Sequence, residues 1–416
     1  MIARRSARID RIVSEARKEP QYVDTPERLL ALVESVSRGA VAVLDTEFIP
    51  EDTYEPRLCL MQVGTAEGIA IVDPLAVADL EPLWKTLTDP ARELVALGAR
   101  QEVLFCMRGA GRPPAKFVDL QIAAGLVGYG YPLSHTRLIE RTLGVHVKGG
   151  EAFTDWRKRP LSPKQLHYAA DDVRHLLAAR DALAEEARRM RRTEWVEAEC
   201  RRMVERIVAG DAEEGWRRVA GSSGLDKREA AVMRELWRWR DASARSTNRP
   251  AKRILPDHLM VGIARRKPGR IDDIQALRGM ERVPLRRCGT EILGAVQRGL
   301  AMPETECPSS GRRVDPPQVG TLAQFLSAIA HTLAAQHRVD GTLLATSADL
   351  QELVRWKLGL LGAEERPMVL EGWRGTILAP LVEILDGKRQ VRVTDVKSKH
   401  PLAFENGAVE EEVERR

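Results

Sequence analysis

No two of the five cysteines, Cys59, Cys106, Cys200, Cys288 and Cys307, stand in a C-x-x-C pair. That scatter argues against a zinc site and against a disulfide framework, and reads as free thiols in a reducing cytoplasm. No apolar run approaches the ~18 residues of a membrane span. The first residues, MIARRSARIDRIVSEARKEP, lack an apolar signal core and include Asp10 and Glu15, so they read as a solvated helix or a frayed tail rather than a targeting segment. No short repeat is visible, although two helical stretches in the second half have the character of distant copies of one fold. A large net charge is missing too, at +5, but its distribution is uneven. Residues 225–300 hold 18 Lys and Arg against 9 Asp and Glu. A compact basic segment on a near-neutral body predicts a polyanionic partner for that segment.

What is present, in 416 residues, suffices for two or three domains. Asp24-Thr25-Pro26-Glu27 is a helix start, with a capping residue before a proline in the first turn. Three strands follow, VAVLDTEF, RLCLMQVGT and GIAIVDPL, and the turn flanked by Gly64 and Gly68 makes a hairpin of the last two. LEPLWKTLTD reads as a helix and ELVALGA as a fourth strand. From there the pattern is helical through SPKQLHYAADDVRHLLAARDALAEEARRM, which reads as one helix. The expected organisation is an α/β domain over 20–205, a helical domain over 221–302, a Pro- and Ser-rich linker over 303–318, a second helical domain over 319–395, and a disordered tail over 396–416.

Within the first strand, AVAVLDTEF runs small and branched residues straight into Asp45 and Glu47. Such a run is a strand buried on both faces, where carboxylates are costly unless something cationic or hydrogen-bonding meets them. Tyr168 and Asp172 lie four apart on a helix and so share a face, whereas Asp171 faces elsewhere. If Asp45, Glu47 and Asp172 meet, divalent cations must sit among them. Oxygen-only ligands suit Mg²⁺ or Mn²⁺. Two such ions about 3.5–4 Å apart support phosphodiester cleavage by activating a water and stabilising the leaving oxygen. Tyr168 would then hold the attacking water.

These residues resemble a family. LDTEF followed by YAADD looks like the DEDD exonucleases with tyrosine in the third motif. The match to ribonuclease D is closer, since DTYEPRLCLMQVG, VDPL, ARQEVLF, VDLQIAAGLVGYG, TDWRKRPL and YAADDVRHLL fall in that family's order and spacing. ELWRWRDASARSTNRPAKRILPDHLMVGIARRKPGRIDDIQALRGM resembles its HRDC module (helicase and RNase D C-terminal). The last helical stretch is similar to a second, more divergent copy. The resemblance implies a ribonuclease H-like domain, a mixed sheet flanked by helices, followed by two all-α HRDC-type domains. It also implies two divalent ions, Mg²⁺ or Mn²⁺, held by Asp45, Glu47, Glu102 and Asp172, with Tyr168 beside them.

Two positions depart from the family pattern: Glu102 stands where an aspartate is usual, and Leu97 where a histidine is usual. Asp119 also matches an acidic position of the family, where it looks structural. Trp156, Arg157 and Arg159 in TDWRKRP are expected either to pack beside the site or to hold phosphate. Lys148 and Arg157 are expected nucleic-acid contacts, with Arg245, Arg249, Lys252, Arg253, Arg265, Arg266 and Lys267 on the basic module. The implied function is a cytoplasmic 3′→5′ exoribonuclease that trims RNA, tRNA precursors in particular, with no membrane and no obligatory protein partner. The rival readings are a degenerate domain that binds RNA without cutting it, which rests on Glu102 and Leu97, and a DNA exonuclease.

Overall fold

The computed structural model describes residues 19–98, 100–147, 154–210, 215–308, 315–362, 365–398 and 401–406. Six strands form the first sheet: β1 (Gln21–Val23), β2 (Val41–Ile49), β3 (Arg57–Thr65), β4 (Gly68–Val72), β5 (Glu93–Ala96) and β6 (Lys116–Asp119). Their order is β1-β4-β3-β2-β5-β6, with β2, β3 and β4 antiparallel and the outer pairings parallel. Strand alternation divides the sheet cleanly. Ala42, Leu44, Met61, Val63, Ala70 and Val72 face α1 (Pro26–Arg38), α2 (Glu81–Leu87) and α3 (Arg100–Ala110). The opposite face carries Asp45, Glu47, Leu60 and Ile71, and lies under α6 (Pro163–Arg174). Before α6 come α4 (Leu120–Leu126) and α5 (His135–Leu143); after it come α7 (Leu176–Arg189) and α8 (Thr193–Ala209).

The mixed sheet with flanking helices agrees with the expectation. The hairpin at Gly64 and Gly68 is β3–β4, in register from Thr65↔Gly68. Three features differ. The strands β1 and β6 are three and four residues long, too short to carry a period. The helix expected to run unbroken from Pro163 to Met190 breaks at His175, which no Gly or Pro marks. The α/β domain also continues through α8 to Ala209, past residue 205.

The basic module, α9 (Lys227–Ser246), α10 (Ala251–Ile254), α11 (Asp257–Arg266), α12 (Ile271–Gln275) and α13 (Leu285–Ala301), has a core of its own. It meets the α/β domain at the β2–β3 loop. There Tyr54 Oη donates to Asp241 at 2.8 Å, Arg245 donates to Tyr54 Oη at 3.0 Å, and the Tyr54 N–H donates to Asn248 at 3.3 Å.

The C-terminal unit is attached quite differently. Its helices α14 (Pro317–His337), α15 (Gly341–Leu344), α16 (Ser347–Lys357) and α17 (Gly372–Leu385) share one continuous apolar core with α4, α5, α7 and α8. Arg374 forms a buried two-pronged pair with Glu199 of α8, one arm at 2.6 Å, and Trp373 donates to the same carboxylate at 3.2 Å. The rings of Trp195 and Trp373 stack at 5.2 Å. Helix α14 begins inside the stretch read as linker. A strand pair closes this unit: β7 (Arg389–Val393) ends the domain expected to be all helical, and β8 (Leu402–Asn406) lies where residues from 396 on were expected to be disordered. Val391 pairs with Phe404, and both pack against the shared core. The final residues, 407–416, lie outside the described ones.

Removing one partner of a buried ion pair strands the other charge, at a cost of about 3–5 kcal/mol. Arg374→Met is therefore expected to lower the thermal unfolding midpoint sharply. Glu199→Gln combined with Arg374→Met should recover much of the loss. An unchanged midpoint in the single variant would show that the pair does not hold the C-terminal unit to the α/β domain.

Candidate active site

Asp45 and Glu47 project from the same face of β2, and a β-bulge follows between Glu47 and Phe48. Bulges of this kind re-aim a strand next to functional positions. Helix α6 crosses above. Its start is fixed by Ser162 and Gln165, which cap each other's backbone, and by Pro163 in the first turn. Tyr168 and Asp172 lie on its inner side, hydrogen-bonded to each other. Asp171 turns outward, to Arg174 at 2.7 Å and His167 at 3.2 Å.

The buried Trp156 ring lies 6.0 Å from that of Tyr168. The segment that carries Trp156 is pinned by Arg159, which donates to Asp73 at 2.5 and 2.7 Å and to the Cys59 carbonyl at 2.9 Å. Tyr22 donates to the same aspartate at 2.6 Å. Arg159 is thus a structural tie.

Glu102 sits in the first turn of α3, 5% exposed. Its Oε1 accepts the Thr46 hydroxyl at 2.7 Å. Asp119 caps α4 by accepting from the Gln121 N–H at 2.8 Å and also accepts from the Gly98 N–H at 3.2 Å, a structural duty.

Burial pushes all four carboxyls upward, and repulsion from neighbouring acids adds to it at Glu47, Glu102 and Asp172. Burial is the main cause in each case. Asp45 is raised to about 6. Glu47 rises to about 8 with help from Asp45 and Glu102, and Asp172 to about 8 with help from Asp45 and Glu47. Glu102 rises to about 7 with help from Asp45, against the opposing Thr46 hydrogen bond. Tyr168 is raised by burial and by the same acids, so its hydroxyl keeps its proton.

Among the described residues, no three acidic, histidine or cysteine side chains close around one point tightly enough to hold an ion. Glu102 in particular is turned to Thr46. The donor set nonetheless suits hard cations: it is all oxygen, and the repulsion within it is relieved by positive charge.

Beside Tyr168 and Asp172 opens a cleft of about 800 Å³, walled also by Trp156, Lys164, His135 and His175. His135 Nε2 and His175 Nδ1 are buried there without a hydrogen-bond partner. Sequence reasoning singled out none of His135, Lys164 and His175. The turn-by-turn spacing 164, 168, 172 along α6, with His175 at its C-cap, was the available signal.

The expected nucleic-acid contacts scatter. Arg157 is exposed but paired with Asp155 and Asp52. Arg245 is exposed and shared between Tyr54 and Asp241. Arg249, Arg253, Arg265 and Arg266 are exposed, and Lys252 is exposed with Asp257 at 3.4 Å. Lys267 ends α11 and pairs with Glu229 and Asp226, so its charge serves the module's own fold. Lys148 lies outside the described residues.

A strand bearing Asp-x-Glu under a helix bearing Tyr-x-x-x-Asp, beside an open cleft, is the layout of a 3′→5′ exonuclease domain. Residues 20–188 match the 3′-5′ exonuclease family, and residues 229–296 match the HRDC domain. The chain is 31% identical to ribonuclease D of Gluconacetobacter diazotrophicus, over 92% of this chain and 96% of that one. It is 28% identical to ribonuclease D of Escherichia coli, over 86% of this chain and 96% of that one. The crystal structure of Escherichia coli RNase D, described as an exoribonuclease involved in structured RNA processing, superposes with a TM-score of 0.77 at 27% identity, covering 88% of this chain and 98% of that one. The chain belongs to the ribonuclease D family and is a hydrolytic 3′→5′ exoribonuclease. Exonucleases of this class depend on divalent metal ions.

The raised carboxyls make a pH prediction. Their pKa values in the fold exceed the roughly 4 of an unfolded chain, so their contribution to stability is complete below about pH 4 and is lost as pH climbs toward about 8. The thermal midpoint of metal-free protein should fall between pH 5.5 and 8.5, and Mn²⁺ should restore it at the upper end. Asp45→Asn should flatten the fall. Equal pH slopes for that variant and wild type would contradict the coupling.

Proposed function

We propose that the chain trims the 3′ ends of structured RNAs, tRNA precursors among them, releasing 5′-nucleotides in the cytoplasm. The observation that carries this reading is the crease between β2 and α6, where Asp45 and Glu47 face Asp172, with Glu102 behind Asp45 on α3 and all four carboxyls pushed upward, beside a cleft of about 800 Å³. Asp45 would bind two divalent ions, Mg²⁺ or Mn²⁺, with Glu47 and Asp172 completing one and Glu102 assisting the other. Bound there, such ions supply an activated water and charge stabilisation for the leaving oxygen.

The chain's own residues do the rest. Tyr168, kept protonated by its acidic neighbours, orients the attacking water through its hydroxyl. Trp156 steadies the tyrosine ring. A single strand must enter the site, because the terminal phosphodiester has to reach ions held in a pocket.

The HRDC domain grips backbone phosphates without reading bases. The C-terminal unit is a diverged second HRDC-type domain, and its helix spacing supports this. The short α10 starts 24 residues after α9 and α11 starts 6 later, and α14, α15 and α16 repeat the same 24 and 6. On this reading the domains span 20–209, 221–302 and 317–406.

The deciding assay is purified protein with Mg²⁺ or Mn²⁺ on matched RNA and DNA oligomers labelled at the 5′ end. RNA should be shortened from its 3′ end. Asp45→Ala and Asp172→Ala should each retain less than about a tenth of the wild-type rate, given the several kcal/mol that a metal ligand supplies. Glu102→Asp should narrow the gap between Mg²⁺ and Mn²⁺, since the shorter arm suits the stricter octahedral ion. Glu102→Gln should lose most activity, and wild-type rates in both metals would exclude Glu102 as a ligand.

A second experiment isolates the HRDC domain. Truncation at residue 220 would also strip the core that α14 to α17 share with the α/β domain, so charge reversal is the cleaner route. Arg249→Glu with Arg253→Glu should weaken binding of long RNA and reduce the salt slope by about one per lost phosphate contact, leaving short oligomers unaffected. An unchanged slope would reduce the basic segment to solvated surface.

A further inference from the structure

Gln62 lies in the middle of β3, directly opposite Asp45 in the antiparallel register. It is 0% exposed, and neither its Oε1 nor its Nε2 has a hydrogen-bond partner. Residues opposed in this way share a face, with Cβ atoms roughly 4.5–5.5 Å apart. Gln62 is therefore on the acidic face of the sheet, beneath α6, with Ile71 on its other flank. The tightness of the packing there is visible two residues along, where a Cβ on Gly64 would touch Val43 at 3.4 Å and Val173 of α6 at 3.7 Å.

A buried amide without partners destabilises a fold, and a leucine or methionine would fill the same space without that cost. The core around it is otherwise apolar: Leu60, Ile71, Ala169 and Val173. The polar side chain therefore needs a reason, and the nearest unmet demand is Asp45. Its carboxylate takes a hydrogen bond from the Thr46 backbone. A side-chain donor from the neighbouring strand would fix its orientation. A neutral amide is well matched to that task. Lysine or arginine in the same place would cancel the negative charge that a cation site requires, whereas an amide orients a carboxylate and leaves its charge intact.

We propose that Gln62 is a positioning residue: its Nε2, unpartnered in this structure, donates to the Asp45 carboxylate opposite it when a cation is bound, so that the remaining lone pairs of Asp45 point into the crease. Its Oε1 is left to accept from water in the site. This rests on the nuclease reading above.

The test uses full-length protein, with Gln62→Met as the variant of similar volume. Three quantities are measured: Mn²⁺ affinity by calorimetry, kcat and KM on a 5′-labelled RNA oligomer, and the thermal midpoint of metal-free protein. Loss of an outer partner of a metal ligand weakens binding by about 10–100-fold. The expected result is a Mn²⁺ Kd raised at least tenfold and kcat lowered by a similar factor. KM for RNA should stay within about twofold, and the midpoint should be equal or higher. Wild-type Mn²⁺ affinity and kcat with a raised midpoint would overturn the proposal and make Gln62 a core filler. Should Gln62→Met lose its cooperative melt, Gln62→Asn, which draws the amide back by one methylene, decides in its place, and unchanged Mn²⁺ affinity in that variant overturns the proposal equally. A wild-type protein that bound no Mn²⁺ and cut no RNA would overturn the nuclease reading itself, and this inference with it.

Discussion

Repulsion among Asp45, Glu47, Glu102 and Asp172 is the constraint around which the α/β domain is arranged. Carboxyls pushed up by burial and by one another oppose the packing of α6 onto β2 and β3. The fold holds α6 down by other means. Ala169, Ala170 and Val173 bury its apolar side, and the Ser162–Gln165 cap fixes its first turn. The segment leading into it is fastened to the far edge of the sheet through Arg159, Asp73 and Tyr22. A site with excess negative charge is thus assembled by contacts that lie outside it, which is what lets it wait for cations without collapsing.

The same logic extends to the rest of the chain. The C-terminal unit continues the core of the α/β domain and adds the buried Glu199–Arg374 pair, so the two behave as one body. The HRDC domain has a separate core and reaches that body through Tyr54, which sits in the loop immediately after the strand bearing Asp45 and Glu47. That loop is also tied by Asp52 to Arg157 and by Glu55 to Arg108. The basic module is therefore joined to the catalytic body at the loop that borders the acids. The exposed Arg249 and Arg253 lie on the same module, just beyond the Tyr54 contact.

The acidic pair on β2 and the Tyr168–Asp172 pair on α6 were legible because each rests on a short-range period, two for the strand and four for the helix. Their meeting was legible only as a consequence of charge: three acids have no business on apolar faces unless they meet. Other features left no local trace. The strands β1 and β6 gain their identity from β4 and β5, not from their own three or four residues. The apolar stripes of α14 and α17 announce burial but not the partner, so a unit that shares the catalytic core read as an independent domain. Gln62 was unremarkable in LCLMQVG, since its importance comes from the cross-strand register that sets it opposite Asp45.

Glu102 shows how one methylene alters such a site. Thr46 lies between Asp45 and Glu47 in sequence, so its side chain points to the opposite face of β2. A carboxylate on the longer glutamate arm reaches that hydroxyl at 2.7 Å while still feeling the charge of Asp45. Glu102 therefore has two competing attractions: a hydrogen bond on the apolar side of the strand, and any cation on the acidic side. The hydrogen bond favours its ionised form, and burial opposes it. On the two-ion reading proposed above, the strength with which a second ion would be held is set by the difference between the two, not by the presence of an acid at position 102 alone. An aspartate there, shorter by about 1.5 Å, would lack the reach for the same compromise.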